Sequence, residues 1–85
     1  MRLRWSDPAL ADLGELADRA PAQAAAVVRA AEWLAHLKTP AIGRYIPEFE
    51  ALYWPVPPQG IIYNVEGDAV IIERIRDSRR RLEPW

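Results

Sequence analysis

Five arginines crowd the end of this chain: Arg74 and Arg76 within the strand-like run AVIIERIRD, then Arg79, Arg80 and Arg81 just beyond it. A guanidinium is a planar, permanently charged fork of N–H donors, so the chemistry it offers is bidentate capture of carboxylate or phosphate. At period two, Arg74 and Arg76 share one face of that strand and the three later arginines extend past its end. If Arg2 and Arg4 lie on a neighbouring strand, all seven form one positive edge. Such an edge holds phosphates or an acidic protein surface; the plain alternative is a solvated basic tail. The net charge of −1 and pI near 5.8 speak against tight, sequence-independent nucleic-acid binding.

Acid–base chemistry has weaker candidates. The single histidine, His36, falls on the outward part of a helix, and Glu48 and Glu50 share the face of a strand with no base or metal ligand paired to them. Glu66, Asp68, Glu73 and the tyrosines complete the titratable set. Phosphate-binding glycine loops, nucleophile elbows and HExxH are absent from the sequence. Without cysteine there is no disulfide, thiolate site or thiol nucleophile. No cofactor or metal is expected. Ten arginines stand against one lysine, a bias that multidentate recognition and a GC-rich genome explain equally well.

Eighty-five residues suffice for one domain, residues 1–85, with a modest core. With 51% hydrophobic and 27% charged residues, the composition is that of a folded globule. No apolar run is long enough to cross a bilayer and MRLRWSDPAL lacks a signal-peptide core, so a cytoplasmic location is expected.

The elements that must position the arginines follow from periodicity. RLRW alternates as a short strand; Ser6-Asp7-Pro8 reads as a helix start, with either Ser6 or Asp7 as cap and Pro8 in the first turn. Leu10, Leu13, Leu16, Ala17 and Ala20 then mark the apolar face of a three-turn helix. Pro21 opens a second helix that runs to about Lys38 on the stripe Ala24, Val27, Val28, Ala31, Leu34 and Ala35. A second stripe, Ala26, Ala30, Trp33 and Leu37, is either covered within the domain or meets another chain. Beyond Gly43 the period becomes two. Residues 44–54 suit one strand whose first half Pro47 demotes to an edge or bulge. Glu66-Gly67-Asp68 separates IIYNV from AVIIERI as a hairpin turn. The expected class is α+β: an N-terminal strand, a helical hairpin, then a three-stranded antiparallel meander.

This ordered set resembles the RelE/ParE toxin family. The likeness begins at Trp5, Ser6, Ala9, Asp12 and Leu13, and continues through Pro40, Ile42, Gly43 and Arg44 to Pro47-Glu48. It then takes in the hairpin from Ile61 to Ile72 and the finish Asp77-Ser78-Arg79-Arg80. The resemblance implies the toxin of a type II toxin–antitoxin pair, neutralised by a cognate antitoxin. ParE-like members poison DNA gyrase and are not known as nucleases; RelE-like members cleave mRNA on the ribosome with lysine, arginine and tyrosine or histidine.

One lysine, no tyrosine after Tyr63 and no histidine in the sheet favour the ParE-like, non-enzymatic branch over a ribosome-dependent endoribonuclease. An inactive interaction module on the same fold is the third reading. Family members often begin the central strand with an arginine where this chain has Gln59-Gly60, and another arginine is replaced near Tyr53-Trp54. On the resemblance, Arg74, Arg76, Arg79, Arg80 and Arg81 contact the target, gyrase or, in the alternative, the ribosome and mRNA. Ala30, Trp33 and Leu37 then meet the antitoxin, in a hetero-oligomer, or a second copy of the chain, in a homodimer.

Overall fold

The computed structural model describes residues 1–79. Strand β1 (Arg2–Trp5) leads into helix α1 (Asp7–Arg19), which a single non-helical residue, Ala20, separates from α2 (Pro21–His36). Four strands follow: β2 (Arg44–Ile46), β3 (Ala51–Val56), β4 (Gln59–Glu66) and β5 (Ala69–Asp77). The sheet order is β1-β5-β4-β3-β2, with β1 parallel to β5 and every other pair antiparallel. The α+β class and element order expected from the sequence are present. The stretch 44–54, read as one strand, is instead a hairpin: residues 47–50 form a turn, and Glu50 adopts φ 51°. Glu48 and Glu50 therefore sit in that turn and share no strand face. No helix among the described residues is long and apolar enough to cross a membrane.

Both helices cover one face of the sheet. The α2 stripe is as expected, with Ala24, Val27, Ala31, Leu34 and Ala35 buried against Ile61, Tyr63, Val70, Ile72 and Ile75. Val28 is only half-buried, and α2 ends at His36, because Leu37 has already turned to extended geometry. Helix α1 is rotated from its expected face: Ala9 and Leu16 are buried, Leu13 and Ala20 partly so, while Leu10 is 49% exposed and Ala17 faces solvent. The rotation follows from Asp12, whose carboxylate is engaged by β5 and turns the opposite side of the helix, with Leu10, outward.

Strand β5 carries a bulge. Ile62 pairs with Arg74 and Tyr63 with Ile72, so Glu73 is an extra residue. Strict alternation would place Arg74 on the core side with Val70 and Ile72; the bulge resets the phase so that Ile75 takes that side instead. Ser6 secures it. Its hydroxyl donates to the Glu73 carbonyl at 2.8 Å and accepts from the Ala9 N–H at 3.1 Å, so one side chain both caps α1 and satisfies the bulge. Asn64 Nδ2 donates to the Glu73 carboxylate at 2.9 Å.

The loop after α2 is fastened to the core through Tyr63, which is fully buried. Its hydroxyl donates to the Pro40 carbonyl at 2.7 Å and accepts from the Gly43 N–H at 2.9 Å. Only glycine fits at 43, since a Cβ there would lie 2.7 Å from the Tyr53 carbonyl oxygen and 2.8 Å from the Tyr63 hydroxyl. Tyr63→Phe should lower stability by about 2 kcal/mol, because it strands two backbone groups inside the protein. The substitution should also change the alkaline limb of a denaturant-midpoint profile. Burial raises the Tyr63 pKa above its ordinary 10.0, with backbone hydrogen bonds opposing. The folded chain thus keeps a proton that the unfolded chain loses, and stability falls as pH rises from 10 toward the folded value. The phenylalanine variant should show a shallower fall.

Candidate target-binding cleft

Strand β1 accompanies β5 only as far as Ile72, opposite Trp5, so the last part of β5 needs another partner. Asp12 provides it. One carboxylate oxygen, Oδ2, accepts the Ile75 backbone N–H at 3.0 Å and the Arg74 Nε–H at 2.8 Å, while Oδ1 accepts Arg74 Nη2 at 3.0 Å. The pair is mostly screened from solvent, with side-chain exposures of 22% and 16%. The hydrogen bond to Asp12 raises the Arg74 pKa further. Arg74, expected among the outward-facing arginines, therefore braces α1 against β5.

The positive edge is also shorter than expected. Parallel pairing sets Arg2 beside Ala69 and Arg4 beside Ile71, five positions and roughly 17 Å of strand before Arg76. The N-terminal arginines thus stand at the other end of β5. Of the remaining candidates, Arg76 and Arg79 lie together where β5 ends; Arg80 and Arg81 fall outside the described residues.

Arg79 is held in place without being hidden. Asp77 accepts its backbone N–H at 2.9 Å, its Nε–H at 2.9 Å and its Nη2 at 2.6 Å, yet 72% of the side chain remains exposed. The Asp77 hydrogen bond raises its pKa, and a guanidinium is permanently charged in any case. The same turn is tied to the β3–β4 connection, where the Ser78 N–H and hydroxyl both donate to the Pro58 carbonyl at 2.7 and 2.8 Å.

These residues border a cleft of about 600 Å³ between the second half of α1 and the ends of β4 and β5. Arg19, Arg74, Arg76 and Arg79 line it, interleaved with Asp12, Glu15 and Asp77. Gln59, the first residue of β4, also lines it and is 3% exposed, and its Oε1 has no hydrogen-bond partner among the described residues. Arg19 and Gln59 were missed as site residues. The spacing of Asp12, Glu15 and Arg19 at three and four places them on one helix face, a readable signal; Gln59 is marked only as standing where family members often carry an arginine.

The helix-free face of the sheet carries a second polar group. The Arg44 guanidinium lies 5.8 Å from the Tyr53 ring centroid, and Tyr53 folds across Gly60, whose missing side chain leaves room for it. Burial raises the Tyr53 pKa, opposed by the Arg44 charge and a hydrogen bond with Ser78. Among the described residues no cluster of histidine, cysteine, aspartate and glutamate could hold a metal ion. His36 is exposed at the end of α2.

The second stripe of α2 is divided. Ala30 and Leu37 pack partly buried against the core, whereas Trp33 stays 46% exposed with its ring centroid 5.4 Å from that of Trp54 on β3. Beyond it, Ile42 and Tyr45 are exposed by 46% and 58% around edge strand β2.

A family model described as the ParE toxin of the type II toxin–antitoxin system parDE matches residues 3–82. Among solved structures, the chain is similar to one from "Chromosomal ParDE TA system from P. aeruginosa". The TM-score is 0.68 at 24% identity, covering 91% of this chain and 95% of that one. At that identity the likeness is one of fold. Comparison with curated proteins gave no match.

Proposed function

Because the chain belongs to the ParE toxin family of type II toxin–antitoxin systems, we propose that it arrests growth by binding and inhibiting DNA gyrase, and that a cognate antitoxin holds it inactive. The observation that carries this reading is Arg79, a permanent cation fixed by Asp77 yet largely open to solvent at the rim of a formed cleft. Arg76 stands beside it, and Arg80 and Arg81 extend the same charge along the chain. Ordered, exposed guanidinia lose little freedom on meeting a carboxylate-bearing surface, which favours them as contact residues.

Binding explains these groups better than catalysis. A ribonuclease needs a group able to exchange a proton near neutral pH, and burial pushes two of the sheet's tyrosines, Tyr53 and Tyr63, the other way. We assign antitoxin contact to the half-exposed Trp33 beside Trp54, flanked by Ala30 and Leu37, and to the outer edge of β2. Among the described residues that edge has no strand beyond it in the sheet, and it suits an added segment.

Expression of the chain alone in a bacterial host tests the reading. Growth arrest with an induced DNA-damage response is the expected result; rapid translation arrest with cleaved mRNA would replace it with the ribonuclease reading, and unimpaired growth with an interaction module.

A further inference from the structure

The cleft between α1 and β5 contains two chemical demands that its described residues leave open. The first is the amide oxygen of Gln59, buried without a donor among the described residues. An unmet buried acceptor is a standing cost that an incoming N–H or O–H removes. The second is cationic. Arg79 turns its Nε–H and an Nη2 hydrogen toward Asp77, two of the five donors a guanidinium carries, and Arg19 lines the opposite wall from the last turn of α1.

The signs around the cleft narrow the ligand. Asp12, Glu15 and Asp77 are interleaved with the guanidinia. A nucleic-acid backbone, with a phosphate at every step, would bring charge against those carboxylates, and the whole chain is slightly acidic. A peptide meets the pattern better, because its carboxylate is a single localised charge and its backbone supplies N–H groups beside it. The volume of about 600 Å³ accommodates a few residues.

We infer that this cleft receives an acidic peptide segment of a protein partner, with a Glu or Asp carboxylate held between Arg19 and Arg79 and a neighbouring backbone N–H donated to Gln59 Oε1. The inference rests on reading this end of β5 as a protein-binding surface, whichever protein is bound.

The test titrates isotope-labelled full chain with acetyl-Ala-Glu-Leu-Glu-Ala-amide, followed by NMR. The expected result is perturbation of the Gln59 side-chain amide and the Arg19 and Arg79 Nε–H signals, with binding weakened about tenfold or more when the peptide's Glu residues become Gln. Arg19→Gln should weaken binding similarly while leaving the spectrum of the fold intact. Gln59→Met should bind several-fold more weakly and melt at a higher temperature, because the orphaned oxygen is gone. Absence of peptide-dependent perturbation at these signals would overturn the inference. So would tighter binding of inorganic phosphate or a short single-stranded oligonucleotide, or a Gln59→Met chain that binds the peptide normally or melts lower. Failure of the unmodified chain to bind the peptide while it still inhibits gyrase would count against the cleft and leave the toxin reading standing.

Discussion

Asp12→Ala will lower the free energy of unfolding by about 3 kcal/mol, since it removes three hydrogen bonds at once and leaves a mostly covered guanidinium without its carboxylate. Each lost bond has a different consequence. The Ile75 N–H, on the part of β5 that β1 no longer accompanies, is left without its acceptor, and Arg74 is left charged beside α1. Because the pair is about a fifth exposed, water recovers part of the cost, and the effect should fall at the low end of what breaking a fully buried pair costs. Arg74→Met should be milder, because it removes the charge together with its need for a partner. A double-mutant cycle between Asp12→Ala and Arg74→Ala in urea denaturation should give a coupling energy on the order of 1 kcal/mol or more. Additive effects would mean that the ion pair contributes nothing as a pair.

Arg79→Ala combined with Arg80→Ala will abolish toxicity while antitoxin binding stays nearly unchanged. The expected loss is large because arginine is among the few residue types that dominate interface energetics, so removing two adjacent arginines leaves binding weakened by orders of magnitude. Stability should hardly move: Arg79 is 72% exposed, and exposed ion pairs contribute little. The readouts are colony formation on induction, antitoxin affinity by calorimetry, and the thermal midpoint. Undiminished toxicity would make the arginine run a solvated tail. A simultaneous loss of antitoxin binding would merge the two surfaces that are assigned here to opposite roles.

The order of elements was legible because each boundary has a local chemical cause. Ser6 and Pro8 start α1, Pro21 restarts the chain as α2, and Gly67, with φ 57°, closes the β4–β5 hairpin. What the sequence hid are features decided by partners distant along the chain. The rotation of α1 depends on a carboxylate whose acceptor role is fixed 62 and 63 residues away, at Arg74 and Ile75. The bulge at Glu73 depends on Ser6, 67 residues away, and without it period two assigns the arginines of β5 to the wrong side. Pro47 did signal an interruption, but the fold-back of β2 onto β3 requires the left-handed turn residue Glu50, which no glycine announced. The cleft itself follows from the packing of α1 on β5, so Arg19 and Gln59 joined the site only once that packing was known.

Purified components test most directly the proposal that this chain inhibits gyrase through the arginine end of β5. DNA supercoiling by gyrase should fall as the chain is added, recover when antitoxin is present, and be insensitive to the Arg79→Ala, Arg80→Ala double variant. Supercoiling that proceeds undisturbed at a large excess of folded chain would contradict the claim.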